Sequence, residues 1–442
     1  MPERPRLIVL TDIGGDPDDE QSLIRLLVHT NEFRIEGILC EHWRDGHRYD
    51  PEGQMELVER ILAAYGRVQP NLTKHDEAFP EPAALLVGLK RGAAEVPFTL
   101  DEDASRGTAD LIGAGKDTAA SDWIISRVDR PDPRPVNICV WGGTADLAQA
   151  LWRVRDTRGA EEVARFVAKL RVHAISDQDA TGPWIRSSFP ELFYVLNHSR
   201  EGNKMLSCYR GMFLGGDESL TSRIWVNKHV SRGHGPLGAL YPRSTWTGPN
   251  PHGCLKEGDT PSWFYFFDNG LQVPEHPEYG GWGGRFEPNG HFYQDAMDTV
   301  DGNTSGPATV WRWRPAFQRE FQARMDWCVL PPERAAHPPV AILNGDGSTR
   351  PVERTARRGE AVTLSAEGSQ PADGRKLSYH WWQYREAGTY PGTVRLTGAD
   401  RERTEVHVPR DPAGKEIHII LEVTGSGDPP LVRYRRAILR VG

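Results

Sequence analysis

Apolar residues run without a break from position 7 into Thr11 and Asp12, and beyond a turn rich in Gly and Asp the leucines Leu23, Leu26 and Leu27 recur at helical spacing. The pattern predicts a strand, a loop and a helix. Two more units of the same kind follow, a strand over 35–40 with a helix over 55–65 and a strand over 136–141 with a helix over 145–154, and a fourth strand is predicted at 170–175. Apolar strands alternating with helices predict an α/β domain, a mostly parallel sheet with flanking helices, and such sheets gather their binding groups at the carboxyl ends of the strands. Between 202 and 306 the periodicity weakens and Gly, Pro, His and aromatic residues crowd together, which predicts long functional loops. A helix is predicted over 314–328, with Phe317, Phe321 and Trp327 on or near one face, and Pro331, Pro332, Pro338 and Pro339 mark a linker over 331–339. After it the alternation becomes two-residue, at 361–366, 377–384, 404–408, 417–423 and 434–441. That predicts a small all-β, immunoglobulin-like sandwich over 340–442, in which Tyr379, Trp381 and Trp382 read either as core or as an aromatic platform for a sugar.

The 442 residues carry a net charge of −8, which gives no general attraction for phosphate backbones or anionic membranes. Nucleic acid and membrane are therefore set aside as partners in favour of a small-molecule or oligosaccharide substrate, with a homo-oligomer left open. The five cysteines are widely spaced and form no CxxC pair, so free thiols are expected. No apolar stretch approaches 18 residues, and the charged start leads straight into a strand, so a cytoplasmic protein is expected. The glycines at 280, 281, 283 and 284 do not follow a strand as a dinucleotide fingerprint does, and neither a GxSxG elbow nor a P-loop is present. His252, His276 and His291 lie near Trp282 in the loop region without regular ligand spacing, and no metal is assigned to them.

The densest chemical signal is Asp12-Ile13-Gly14-Gly15-Asp16-Pro17-Asp18-Asp19-Glu20, with five acids in nine positions at the end of the first strand. Acids that converge repel one another, and a hard cation taking oxygen ligands accounts for the convergence. Asp18 also qualifies as a helix N-cap, with Asp19 and Glu20 favoured by the dipole of the first turn. Asp177 and Asp179 follow the fourth strand, so they read as sugar-hydroxyl ligands or as aids to protonation at the same cleft, or else as a plain polar loop, with Trp184 as a ring to pack on a sugar. Glu41 and His42, just after the second strand, are further substrate-binding candidates.

The acidic segment resembles the nucleoside hydrolase superfamily, whose first strand ends in an Asp, then Pro-Gly, then paired aspartates opening a helix. Here the loop is longer, and Asp16 has no counterpart. The likeness is greater to the nucleoside hydrolase-like subgroup with a C-terminal sandwich, often described as cellulose-binding, and it spans nearly the whole chain. It implies a catalytic domain over 1–330 in which Asp12 is general base and metal ligand, Asp18 a catalytic and sugar-binding carboxylate, and Asp19 the bidentate calcium ligand. Trp141-Gly142-Gly143-Thr144-Ala145-Asp146-Leu147-Ala148 resembles the family's Gly-Thr-Asn-Leu-Ala turn, which makes the Thr144 carbonyl a metal ligand; Thr144 also reads as an ordinary N-cap. The late carboxylate ligand falls to Asp259, which equally suits a turn before a buried element. Gly258 stands where nucleoside hydrolases that protonate the leaving base carry a His. The implied function is a Ca²⁺-dependent glycosidase that cleaves a pentofuranosyl bond in a glycan with inversion. Its alternatives are an N-ribosyl nucleoside hydrolase and a non-catalytic carbohydrate-binding protein.

Overall fold

The first strand, β1 (Arg6–Thr11), is buried along its whole length, with Leu7 and Val9 in one apolar cluster and Ile8 and Leu10 in another. Successive side chains of a strand point to opposite faces, so a strand apolar throughout has to be covered on both. The computed structural model, which describes residues 4–41, 51–94, 96, 108–245, 248–372, 374, 376–411 and 414–442, has this arrangement. On the first face pack α1 (Asp18–Leu27), α2 (Pro51–His75), α6 (Thr260–Phe264) and α7 (Arg314–Trp327); on the second pack α3 (Ala119–Val128), α4 (Ala145–Thr157) and α5 (Thr181–Ser188). Each fully buried Leu, Ile or Val contributes about 1.5–3 kcal/mol relative to exposure.

Beside β1 lie β2 (Arg34–Cys40), β3 (Leu89–Arg91), β4 (Val136–Val140), β5 (Leu170–Ala174) and β6 (Phe193–Leu196), with the hairpin β7 (Phe286–Asn289) and β8 (Phe292–Asp295) completing the sheet. The order is β3-β2-β1-β4-β5-β6-β8-β7, parallel except for β7. The order reverses between β1 and β4, and the crevice beyond the carboxyl ends of these two strands is the place where such sheets bind ligands. A second hairpin, β9 (Asp298–Val300) and β10 (Asn303–Ser305), follows.

Two differences from the sequence reading have physical causes. The helix expected over 55–65 runs from Pro51 to His75 with Pro70 inside it, because Val68 and Leu72 stay buried in the core and Asn71 Nδ2 holds the carbonyls of Trp327 and Leu330 at 2.9 and 2.7 Å. The proline-rich stretch 331–339 is not a free tether: Trp327 Nε1 donates to Ala336 O at 2.8 Å, and Ala335 and Ala336 are buried.

The sandwich pairs a sheet of β11 (Val352–Ala356), β17 (Val432–Val441), β16 (Lys415–Gly425) and β13 (Leu377–Gln383) with one of β12 (Ala361–Ser365), β15 (Arg403–His407) and β14 (Arg395–Thr397). β11 and β14 escape sequence reading because they are short and mostly exposed. Neither tryptophan of β13 forms a platform. Trp381 is 1% exposed in the sandwich core and donates to Arg401 O at 2.8 Å, while Trp382 packs on Trp313 of the first domain, ring centroids 5.7 Å apart. Tyr434 and Tyr384 join the core cluster beneath the first face of the large sheet, and Arg436 donates to the carbonyls of Leu271, Tyr279 and Gly280, each at 3.0 Å.

Candidate cation and sugar site

At the end of β1 the Thr11 hydroxyl accepts the Ile13 N–H at 3.1 Å and donates to Asp19 Oδ1. Gly14, at φ +99°, makes the left-handed turn that opens the loop, and Gln54 Nε2 reaches the Asp12 carbonyl at 3.3 Å. α1 begins at Asp18 behind Pro17, and no side chain caps it, so Asp18 is not an N-cap; Asp18 and Asp19 lie in its first turn, where the helix dipole favours negative charge. Asp259 precedes α6 on the far side of the crevice. Asp18, Asp19 and Asp259 each bring an oxygen within 4.8 Å of the others.

A strap of polar contacts holds these distant segments together. Gln21 donates to Pro242 O and Cys254 O, both at 3.0 Å, and accepts the N–H groups of Lys256 and Glu257 at 2.8 and 3.2 Å. Arg25, fully buried, pairs with Glu257 and donates to Gln318 Oε1 at 2.6 Å. Lys256 Nζ pairs with Asp16 and stands 3.3 Å from Asp18 Oδ2. The residue without a counterpart in the resembled pattern, Asp16, thus clamps the β1–α1 loop to the segment that carries Asp259.

Burial, then the charges of neighbouring carboxylates, drives the acids up. Asp12 is pushed to about 7 by burial and by Asp18, and Asp19 and Asp259 stand well above the usual carboxylate range by burial and by the other acids of the cluster. Asp18 is raised by burial, an effect that Lys256 partly offsets. Asp259 Oδ2 is buried without a hydrogen-bond partner among the described residues. An all-carboxylate donor set with an orphaned oxygen fits a hard cation such as Ca²⁺, whereas zinc sites draw mainly on His and Cys. Asp12 lies outside this trio, pressed against Gly142, where a Cβ would come within 2.8 Å of Asp12 Oδ1.

Other expected groups go elsewhere. The Thr144 carbonyl, at the N-cap of α4, accepts the Ala148 N–H at 2.9 Å. Asp179 is turned to that end of α4, taking the N–H of Thr144 at 2.7 Å together with the N–H and hydroxyl of Thr181 at 2.7 and 2.6 Å. Asp177 is paired with Arg186 through two bonds of 2.8 and 2.6 Å. Trp184 packs edge-on against Phe189 with Arg155 over its ring at 5.1 Å; Arg155 lies in the last turn of α4, the end remote from the crevice, so the ring is not a sugar platform. Glu41 is 1% exposed at the end of β2, and His42 lies outside the described residues.

The profile of the family described as "Cellulose-binding Sde182, nucleoside hydrolase-like domain" matches residues 6–286, and that of "Cellulose-binding protein Sde0182, C-terminal domain" matches residues 361–441. The chain belongs to the Sde182 nucleoside hydrolase-like family. Among solved structures it is similar to a nucleoside hydrolase-related hypothetical protein from Saccharophagus degradans, described as associated with carbohydrate metabolism, at 34% identity, 100% of each chain and a TM-score of 0.81. It is far less similar to the effector protein XOO4466, at 11% identity over 74% of this chain and 95% of that one with a TM-score of 0.37. The type III effector XopQ is as distant, at 10% identity over 62% and 70% with a TM-score of 0.30. A comparison with curated proteins finds no match.

Two residues beside the acids carry no place in the sequence reading. Lys256 was signalled by Asp16, an acid in want of a partner. Tyr209 had no signal: its ring comes from a loop 49 positions away and fills the space beside Gly258, where a Cβ would lie 3.2 Å from Tyr209 Cδ2 and 3.0 Å from Asp18 Oδ2.

Proposed function

We propose that this protein is a calcium-dependent glycoside hydrolase that splits the bond between a pentofuranose and its leaving group by direct attack of water, with inversion. The observation that carries the reading is the meeting of Asp18, Asp19 and Asp259 within 4.8 Å, with Asp12 at the end of the neighbouring strand. The description of the Saccharophagus degradans relative and the family descriptions support a sugar ligand. Asp18, Asp19 and Asp259 would hold the ion, which when bound polarises water and vicinal hydroxyls.

Asp12 takes the proton of the attacking water. Its carboxyl, buried at the end of β1 and pressed against Gly142, is the one placed for that transfer. As the glycosidic bond weakens, positive charge grows on the sugar ring, and the Asp18 carboxylate stabilises it. Gly258 offers no side chain to protonate a leaving base, and Tyr209 occupies the space beside it, which favours a sugar over a nucleobase as leaving group.

Calorimetry with CaCl₂ tests the ion, and product release from p-nitrophenyl furanosides, inosine and uridine with and without EGTA tests the reaction. Calcium binding, turnover lost on chelation and an inverted anomer by NMR are the expected results. Binding of calcium and pentoses with no product from any substrate would make this a carbohydrate-binding protein instead.

A further inference from the structure

A second pair of acids meets at the ends of β2 and β5, apart from the three carboxylates that frame the cation site. Asp179 accepts the N–H groups of Thr144 and Thr181 and the Thr181 hydroxyl, with the Thr144 hydroxyl 3.2 Å away. A carboxyl group so surrounded by donors acts as an acceptor through both of its oxygens. Glu41 is the opposite case. Its N–H is fixed on the Thr11 carbonyl at 2.9 Å, its carboxyl is enclosed to the same degree as Asp19 and Asp259, and among the described residues neither of its oxygens meets an N–H or hydroxyl donor. A Cβ on Gly143 would lie 2.3 Å from both Glu41 Oε1 and Asp179 Oδ2, so the two carboxyl groups converge over a bare Cα.

Two carboxylates in contact in a dry site do not both ionise. Because the Asp179 oxygens are already engaged, the shared proton belongs to Glu41, which then donates to Asp179. Burial, followed by the charges of Asp179 after β5, Asp146 in the first turn of α4 and Asp12 after β1, acts in the same direction and holds the Glu41 carboxyl well above the usual range. Glu41 and Asp12 flank consecutive residues of one turn, since Gly142 abuts Asp12 and Gly143 abuts Glu41.

We infer that Glu41 is the proton donor to the leaving group, the role that Gly258 leaves unfilled; this rests on the hydrolytic reading above. As the glycosidic bond breaks, its electron pair passes to the leaving oxygen, which takes the proton of Glu41. The water oxygen bonds to the anomeric carbon and gives a proton to Asp12. Glu41 ends as carboxylate and Asp12 as acid, and return of one proton through solvent restores both.

The test is Glu41→Gln in the full, calcium-loaded chain, an exchange that keeps a donor toward Asp179 and removes the acid. Turnover of a methyl furanoside or a furanosyl disaccharide is expected to fall about 10²–10⁴-fold, while a 2,4-dinitrophenyl furanoside, whose leaving group needs no proton, loses less than about tenfold. The alkaline limb of the pH–rate profile should disappear, with calcium affinity unchanged by calorimetry. Equal losses on both leaving groups would overturn the assignment and leave hydrolysis standing. Infrared spectra of ¹³C-Glu-labelled protein should show a protonated carboxyl at pH 7 that E41Q lacks, and its absence from the parent overturns the assignment whatever the activity. A parent that turns over no furanoside or nucleoside defeats the hydrolytic reading and the donor role with it.

Discussion

Gly142 decides where the Asp12 carboxyl stands. Its φ is not left-handed, so an Ala fits the backbone, but the added Cβ would lie 2.8–2.9 Å from Asp12 Oδ1, Cβ and Cγ. Something must move, and the mobile partner is the base. Gly142→Ala is therefore expected to lower kcat/KM about 100-fold, the effect of an ångström of misplacement. Calcium titration and circular dichroism of the same variant check that the ion site and the fold persist. At this scale charge density at a strand end makes Asp18 and Asp19 legible, whereas Asp259, which meets them, is singled out only by the family resemblance, since an acid before a buried run suits an ordinary turn as well. The proton on Glu41 and the place of Tyr209 arise from contacts between segments far apart in the chain, and no local pattern carries them. Trp184 misled because its position after β5 is right while its side chain points along α4 to the other end.

α1 does more than present two aspartates. Through Gln21 and Arg25 it grips the turn that leads to Asp259, and Arg25 lies over the Phe321 ring at 3.9 Å besides pairing with Glu257. Arg25→Met keeps much of the packing and strands Glu257 in the core without its cation. Breaking one side of a buried pair costs about 3–5 kcal/mol, and a lower melting temperature together with weaker calcium binding is expected. Calorimetry in scanning and titration modes reads both. The strands and long helices of the sheet were legible because each carries an unbroken apolar run or a helical stripe. The region 202–306 was not, since its helices span only three to six residues and hold their shape by capping and tertiary contact. Thr144 takes the N-cap place that its turn predicts, since α4 starts at the next residue.

Across the whole molecule, Glu320 of α7 bonds Arg324 Nε at 2.9 Å and Arg433 of the sandwich at 3.0 and 3.2 Å. Burial alone would raise its pKa, but Arg433 and Arg324 outweigh it and hold the carboxyl below the usual range. A depressed folded-state pKa stabilises the protein above the unfolded-state value of about 4.3, and this is lost as pH falls below it. Glu320→Gln should thus be less stable at pH 7, and the gap to the parent in urea unfolding should narrow progressively below about pH 4.3. The two-domain order was legible from the switch of periodicity after 331–339, whereas the depth of the contact was not, because nothing in the local pattern around Trp282, Trp313, Trp382 or Tyr434 says which partner each ring meets. Trp282 Nε1 lies 3.3 Å from the Tyr434 hydroxyl and its ring packs on Phe264 of α6, so the sandwich stands behind the helix that follows Asp259. The sandwich is a keystone: it is no portable appendage to be grafted onto another enzyme, and a chain cut between its halves would bare a wall of aromatic rings on either side.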